Sequence, residues 1–184
     1  MKTTPSRVLA FIGFGANLGD PFATMTRVLK AFVALPETLL AACSSYYRSA
    51  PRGVTSPHPD YINAVIALNT GLTPQALFDA LLSIEFACGR RRIALLAPRP
   101  LDLDLLLYGE TVMQSSTLTL PHPRMHLRAF VLLPLAEIAP DLSLPGHGSL
   151  SSLLAKVKDQ RIVRIRDIRP VMPAGWDKGA VALA

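Results

Sequence analysis

Two aspartates, Asp102 and Asp104, are the residues whose type and spacing most directly suggest chemistry. They alternate with leucines in residues 101–108, a pattern that predicts a β-strand, and residues two apart in a strand point to the same face. A desolvated carboxylate without a partner is destabilising by several kcal/mol, so a cation should meet the pair. Two partners fit: an arginine such as Arg99, or Mg²⁺, which proteins hold with one or two carboxylates and substrate phosphates.

Arginines surround this pair in the sequence. Arg90, Arg92 and Arg99 lie within fifteen residues of the aspartates, and arginine and Mg²⁺ together bind phosphate groups. An arginine run alone is more often a solvated loop, but beside paired carboxylates it favours a phosphorylated ligand.

Two further features could belong to a functional site. Tyr61 and Asn63 open a predicted strand and share a face, which places a flat ring for stacking beside an amide that can pair with a heterocycle. The preceding residues 50–60 contain three prolines, and loops of this length in a compact domain are often functional. His122 lies between two prolines before a predicted helix. Taken singly, each feature also fits an ordinary strand edge or exposed loop.

Composition narrows the class of protein. The chain of 184 residues is half hydrophobic, which is enough for one core, and its apolar runs fall short of the roughly 20 residues of a membrane span. A net charge of +6 favours anionic ligands, but no basic stretch is interleaved with aromatic residues, so we expect no nucleic-acid partner. Cys43 and Cys88 form no metal-binding pattern and predict reduced thiols of a soluble, cytoplasmic protein.

The hydrophobic periodicity predicts an α+β fold. Residues 7–14, 39–49, 61–70 and 101–108 are predicted strands, and helices are predicted after Asp20 and after Thr73, in the order strand, helix, strand, strand, helix, strand. This order is the βαββαβ arrangement of ferredoxin-like folds. A helix at 127–137, a short helix from Ser149 and an edge strand at 161–168 should follow. We expect one domain over 1–169 and a poorly ordered tail over 170–184.

A glycine-containing segment, residues 13–20, links the first strand to the first helix. It lacks the lysine of a phosphate-binding loop and half of the dinucleotide fingerprint, so we interpret it as a structural turn.

Five segments together resemble the 6-hydroxymethyl-7,8-dihydropterin pyrophosphokinases of folate biosynthesis. They are residues 15–19 (GANLG), 44–48 (SSYYR), 60–63 (DYIN), 98–104 (PRPLDLD) and 121–125 (PHPRM). The resemblance implies an antiparallel sheet in an α/β/α sandwich and transfer of diphosphate from ATP to the pterin hydroxymethyl group, with two Mg²⁺ ions and release of AMP. It also implies small-molecule partners only, and we expect a monomer.

The resemblance assigns roles residue by residue. Asp102 and Asp104 match the metal-bridging aspartates, and with Arg90, Arg92 and Arg99 they form the expected catalytic group. The pterin pocket is expected to comprise Ser49, Pro51, Arg52, Gly53, Tyr61, Asn63 and Phe130. The expected ATP-binding residues are Glu85, Arg92, Arg99, His122 and Arg128.

One segment departs from the family pattern. The family usually has R-W-G-P-R before the aspartates, whereas residues 95–99 read L-L-A-P-R, so one arginine and the tryptophan are missing. Loss of a cation that stabilises charge during phosphoryl transfer can reduce turnover. A pterin- or nucleotide-binding paralogue with weak or no turnover is therefore a second hypothesis.

Overall fold

A central antiparallel sheet with helices on both faces organises the chain. The computed structural model describes residues 7–51, 59–89, 100–174 and 176. In chain order the helices and strands are β1 (Val8–Ala16), α1 (Pro21–Val33), β2 (Thr38–Cys43), β3 (Tyr47–Ser49), β4 (Tyr61–Thr70), α2 (Pro74–Ala87), β5 (Asp102–Tyr108), β6 (Met113–Gln114), β7 (Thr119–Leu120), α3 (Ala129–Ile138), β8 (Ser143–Leu144), β9 (Gly148–Ser149), α4 (Leu150–Lys156) and β10 (Ile162–Arg164).

The sheet places the beginnings of β4 and β5 beside the end of β1. Its order is β10-β3-β4-β1-β5, and β2 pairs with the other part of β4. Gly15 of β1 lies opposite Asn63 of β4 and opposite Asp102 of β5. Three strands therefore bring residues far apart in sequence to one end of the sheet.

The first helical layer consists of α1 and α2. Asp20 caps α1, because its Oδ1 accepts hydrogen bonds from the backbone N–H groups of Phe22 and Ala23, and Pro21 takes the first helical position, where its missing N–H costs nothing. Thr73 caps α2 in the same way. Apolar side chains of both helices pack on the sheet and are fully buried: Met25, Val28, Leu29, Phe32, Leu77 and Leu81.

The second layer consists of α3 and α4 on the opposite face. Leu132, Leu135 and Leu153 pack there with Phe11 and Leu106 of the sheet. The predicted ferredoxin-like α/β/α sandwich with an antiparallel sheet is thereby confirmed. Among the described stretches, no helix combines the length and apolar character that crossing a membrane would require.

The structure corrects two predicted strands. The predicted strand 39–49 is two strands, β2 and β3, because the Ser44 hydroxyl accepts the Val65 N–H at 3.0 Å in place of a strand carbonyl. The Ser44 N–H donates to the Val65 carbonyl at 2.9 Å, so the interruption leaves the peptide groups of Val65 paired. The predicted edge strand 161–168 is shorter and comprises the three residues of β10.

The predicted turn at residues 13–20 also starts later than expected. Gly13 and Gly15 are residues of β1, and the chain turns only after Ala16. Of the predicted tail, Met172 and Trp176 pack against the core of the first layer.

Candidate active site

A cavity of about 560 Å³ lies at the end of the sheet where β1 ends and β4 and β5 begin. Helix α2 borders it on one face and helix α3 on the other. It is lined by Gly13, Phe14, Gly15, Ser49, Ala50, Pro51, Tyr61, Asn63, Ala64, Phe78, Leu82, Glu85, Asp102, Leu103, Asp104, Arg124, Leu127, Arg128, Phe130 and Val131. This volume suits a small organic ligand.

Two glycines of β1 line the cavity opposite the carboxylates. Gly15 and Gly13 lie opposite Asp102 and Asp104 in the β1–β5 register. A Cβ on Gly15 would lie 3.7 Å from Asn63 Oδ1 and 4.0 Å from Asp102 Cβ. The missing side chain thus leaves a gap between the strand that carries the amide and the strand that carries the carboxylates.

Glu85 supports the strand that carries the aspartates. Among the strands of the described residues, β5 lies at the edge of the sheet, so one row of its peptide groups has no neighbour among them. Glu85 of α2 is 2% exposed, and its Oε1 accepts the Leu103 N–H at 2.6 Å. The carboxylate therefore holds the peptide group between the two aspartates.

Cationic and neutral donors gather around Asp104. Arg128 Nη1 lies 3.4 Å and His122 Nε2 3.7 Å from Asp104 Oδ2. His122 Nδ1 accepts the Arg124 N–H at 3.2 Å, which leaves Nε2 as the protonated nitrogen of the neutral ring. Burial, followed by the charges of Arg128 and Arg124, lowers the pKa of His122 despite the opposing effect of Asp104. A neutral imidazole beside Asp104 at neutral pH follows.

The other end of the cavity presents an oriented amide beside two aromatic residues. Asn63 is 4% exposed, and its Nδ2 donates to the Ser49 hydroxyl at 2.9 Å and to the carbonyls of Tyr47 and Tyr61. Since the amide nitrogen is committed to these acceptors, Oδ1 is the atom presented towards Gly15 and the cavity. The Tyr61 and Phe130 rings line the same space.

The structure brings together most of the predicted site residues. Nine of them line the cavity: Ser49, Pro51, Tyr61, Asn63, Glu85, Asp102, Asp104, Arg128 and Phe130. His122 does not line it but stands beside Asp104. Five predicted residues lie outside the described part of the chain: Arg52, Gly53, Arg90, Arg92 and Arg99.

Sequence reasoning missed several lining residues, notably Gly13, Gly15, Phe78, Arg124 and Leu127. The two glycines carried a usable signal, because glycines two apart in a strand share a face, as the aspartates do. Phe78 looked like any apolar residue of a helix. Arg124 and Leu127 depend on how the segment before α3 packs, which local patterns do not reveal.

The donors of this site suit a hard cation. Asp102 and Asp104 project carboxylate oxygens from one strand face, and the Asp104 side chain is 35% exposed. Within the described ranges no three His, Cys, Asp or Glu side chains form a complete metal cage. Two carboxylates beside an open cavity are nevertheless the donor set with which Mg²⁺ is held when phosphates supply further ligands.

Comparison with known proteins agrees with this geometry. A Haemophilus influenzae protein named 2-amino-4-hydroxy-6-hydroxymethyldihydropteridine pyrophosphokinase is 41% identical over 158 residues, which are 86% of this chain and 98% of that protein. A Pseudomonas aeruginosa protein of the same name is 44% identical over 155 residues, 84% of this chain and 95% of the relative.

Solved structures share the fold. A crystal structure of HPPK-DHPS in complex with substrates matches with a TM-score of 0.62 at 12% identity, covering 81% of this chain and 43% of the longer one. Wild-type Plasmodium falciparum HPPK-DHPS with pteroate matches with a TM-score of 0.64 at 10% identity, covering 82% and 44%. At these identities the match concerns the fold alone.

A family model spans most of the folded chain, and it covers every described residue that lines the cavity. It is the model for 7,8-dihydro-6-hydroxymethylpterin-pyrophosphokinase (HPPK), and it matches residues 11–140. The match includes both aspartates, the Asn63 amide and the segment before α3. The chain therefore belongs to the 7,8-dihydro-6-hydroxymethylpterin pyrophosphokinase family.

Proposed function

We propose that this protein transfers the diphosphate of ATP to the hydroxymethyl group of 6-hydroxymethyl-7,8-dihydropterin. A bond forms between the hydroxyl oxygen and the β-phosphorus, and the bond from the β-phosphorus to the α,β-bridging oxygen breaks. AMP leaves with that oxygen, and the hydroxyl proton passes to solvent. The observation that carries the proposal is one cavity with paired carboxylates on one side and a buried, oriented amide on the other.

The Asn63 end of the cavity would bind the pterin. Asn63 Oδ1 can accept from the N–H groups along the pterin edge, and the Ser49 hydroxyl, which already accepts from Asn63, still has a proton to donate. Tyr61 and Phe130 would cover the ring faces. Pro51 lines this end, and we propose that Arg52 and Gly53 complete it.

The Asp104 end would bind the triphosphate. Arg128 has a planar guanidinium suited to phosphate oxygens, and His122 offers its Nε2 proton nearby. We propose that Asp102 and Asp104 hold two Mg²⁺ ions; when bound, these ions would neutralise phosphate charge and lower the pKa of the attacking hydroxyl. Glu85 then acts by fixing the peptide between the two aspartates, and no side chain is required as a dedicated base.

Three arginines of the segment before β5 complete the proposal. Arg90, Arg92 and Arg99 would neutralise charge that develops on the transferred group. Residues 95–99 lack one arginine of the usual pattern, which favours slower turnover than in relatives with the full pattern. A monomer acting in the cytoplasm stays a prediction.

Product analysis tests the proposed reaction. The protein is incubated with ATP, Mg²⁺ and 6-hydroxymethyl-7,8-dihydropterin, and nucleotides and pterins are separated by chromatography. AMP and a pterin diphosphate are expected in equal amounts. The 6-methyl analogue, which has no acceptor hydroxyl, should yield no AMP. ADP as the pterin-dependent product would contradict diphosphate transfer, and saturable pterin binding without any product would support the paralogue.

A further inference from the structure

The segment that carries Arg128 is held by one side chain from a distant part of the chain. Gln160 lies between α4 and β10. Its Oε1 accepts the Ala129 N–H at 3.0 Å, and its Nε2 donates to the Leu127 carbonyl at 2.9 Å. These two peptide groups flank Arg128 on either side.

The pairing imitates a strand neighbour. Arg128 has an extended backbone, with φ of −120° and ψ of 107°. In a β-ladder, a neighbouring strand bonds the carbonyl before an extended residue and the N–H after it. The Gln160 amide makes both of these bonds.

The N–H of Arg128 itself donates to the Met125 carbonyl at 3.2 Å, and its carbonyl accepts the Val131 and Leu132 N–H groups at 3.0 Å each. Among the hydrogen bonds of the described residues, only those of Gln160 pair the Leu127 carbonyl and the Ala129 N–H. Arg128 is the N-cap of α3 and makes no side-chain capping bond, so the Ala129 N–H would otherwise lack an acceptor at the helix start. The Leu127 side chain is 57% exposed. A second cavity of about 380 Å³ is lined by His126, Leu127 and Gln160, so dense packing does not hold this side of the segment.

The restrained residue belongs to the phosphate end of the site. Arg128 Nη1 is 3.4 Å from Asp104 Oδ2, and its Cζ lies 5.4 Å from the centre of the Phe130 ring. A rotation of the Arg128 backbone would carry the guanidinium away from both neighbours.

We propose that Gln160 is a positioning residue for this site: by pairing with the peptide groups on both sides of Arg128, it aims the guanidinium at the phosphates of ATP. The inference rests on the proposed function, because it assumes that Arg128 binds these phosphates. It adds a residue that lies outside the 11–140 family match and does not line the 560 Å³ cavity.

A double-mutant cycle tests this role. Binding of an ATP analogue with a methylene group between the α- and β-phosphorus atoms is measured by calorimetry for wild type, Gln160→Ala, Arg128→Ala and the double variant. Gln160→Ala should weaken binding about tenfold in the wild-type background, since it removes two hydrogen bonds, and should have no further effect once Arg128 is absent. Equal effects in both backgrounds would overturn the proposal.

Two further variants separate positioning from general stability. Gln75→Ala is the control: Gln75 also makes two side-chain hydrogen bonds, with Asp79 and Thr117, but it is exposed and does not line the 560 Å³ cavity. Nucleotide affinity should therefore stay at the wild-type value. Gln160→Glu keeps an acceptor for Ala129 but places a carboxylate oxygen against the Leu127 carbonyl. It should also weaken nucleotide binding, and wild-type affinity in this variant would overturn the two-sided restraint.

Turnover distinguishes failure of the inference from failure of the proposed function. In an active wild type, Gln160→Ala should raise the KM for ATP and leave the Kd for the pterin unchanged. A wild type without pterin-dependent AMP would contradict the proposed reaction, while the nucleotide-binding cycle would still decide the role of Gln160.

Discussion

Replacing Glu137 with glutamine should destabilise the fold through one compact hydrogen-bond network. Glu137 of α3 accepts on Oε2 from the Ser45 N–H at 3.1 Å and the Tyr47 hydroxyl at 3.0 Å. Its Oε1 accepts from the Ser45 hydroxyl at 2.7 Å and from Arg164 Nη2 at 2.8 Å. The network joins α3, β3 and β10, and β3 ends at Ser49 in the proposed pterin pocket.

The expected magnitude follows from the geometry. Each carboxylate oxygen receives one N–H and one hydroxyl donor. Either orientation of a glutamine amide therefore turns its NH₂ group towards an N–H that cannot accept, and the neighbouring hydroxyl has to change from donor to acceptor. Hydrogen bonds to charged groups contribute about 1.5–3 kcal/mol each, less where water can replace them. The side chains of Glu137 and Arg164 are 21% and 43% exposed, so we expect a net loss of about 2–4 kcal/mol, or about 5–15 °C in Tm.

The loss of stability caused by Glu137→Gln should depend on pH. Burial tends to raise the pKa of Glu137, but the bonds from Ser45 and Tyr47 and the charge of Arg164 outweigh it and lower the pKa. Burial and the bond to Glu137 raise the pKa of Tyr47 to about 12, so its hydroxyl stays a donor. A carboxylate whose pKa is lower in the folded state than in the unfolded state stabilises the fold fully at pH values above its ordinary pKa of about 4.3. This contribution is lost as pH falls through the pKa of the folded state.

Thermal unfolding of wild type and Glu137→Gln between about pH 7 and pH 3.5 is the assay, because a carboxylate with a lowered folded pKa starts to lose its stabilising contribution once pH falls below the ordinary value of about 4.3. The difference in Tm between wild type and Glu137→Gln should be largest near neutral pH and should become smaller as pH approaches 3.5. Glu110→Gln, an exposed residue in the turn after β5, makes the same change of charge and should leave Tm near the wild-type value. Equal Tm values for wild type and Glu137→Gln at neutral pH, or a difference that does not narrow in acid, would refute the reasoning.

Three predictions concern the cavity. Gly15→Ala should fold, because its Cβ would meet neighbours no closer than 3.7 Å, yet it should lower kcat/KM by filling the gap before Asp102; unchanged kinetics would mean that substrate does not use this gap. Asn63→Leu should raise the KM for the pterin at least about tenfold, since a site built for hydrogen bonds discriminates strongly, and a shift confined to ATP kinetics would contradict the assignment. Glu85→Ala should lower kcat and should lower the free energy of unfolding by about 1–3 kcal/mol, because the Leu103 N–H is left without this acceptor. Glu85→Gln keeps an acceptor, so its free energy of unfolding in urea should fall less.

The sequence predicted features that local patterns determine. Alternating leucines and aspartates specified β5 and the shared face of Asp102 and Asp104, and the Asp20–Pro21 and Thr73–Pro74 pairs marked both helix starts. These signals succeed because strand alternation and helix capping depend on neighbouring residues alone.

Features that depend on distant parts of the chain were not predictable in the same way. The break between β2 and β3 arises because the Ser44 side chain substitutes for a strand partner of Val65, twenty-one residues away. The restraint of Arg128 by Gln160 spans more than thirty residues. Such contacts form only in the packed fold, and the periodicity of the sequence does not predict them.

The most direct test of the central claim is AMP formation by the Asp102→Asn and Asp104→Asn variants. Each substitution keeps the size of the side chain but removes the negative charge with which the carboxylate is proposed to bind Mg²⁺. Asp79→Asn, an exposed change on α2 at a residue that bonds Gln75, is the matched control. We expect pterin-dependent AMP formation in the wild type and the control, and its loss in both cavity variants while pterin binding persists. Wild-type rates in either cavity variant would contradict the central claim.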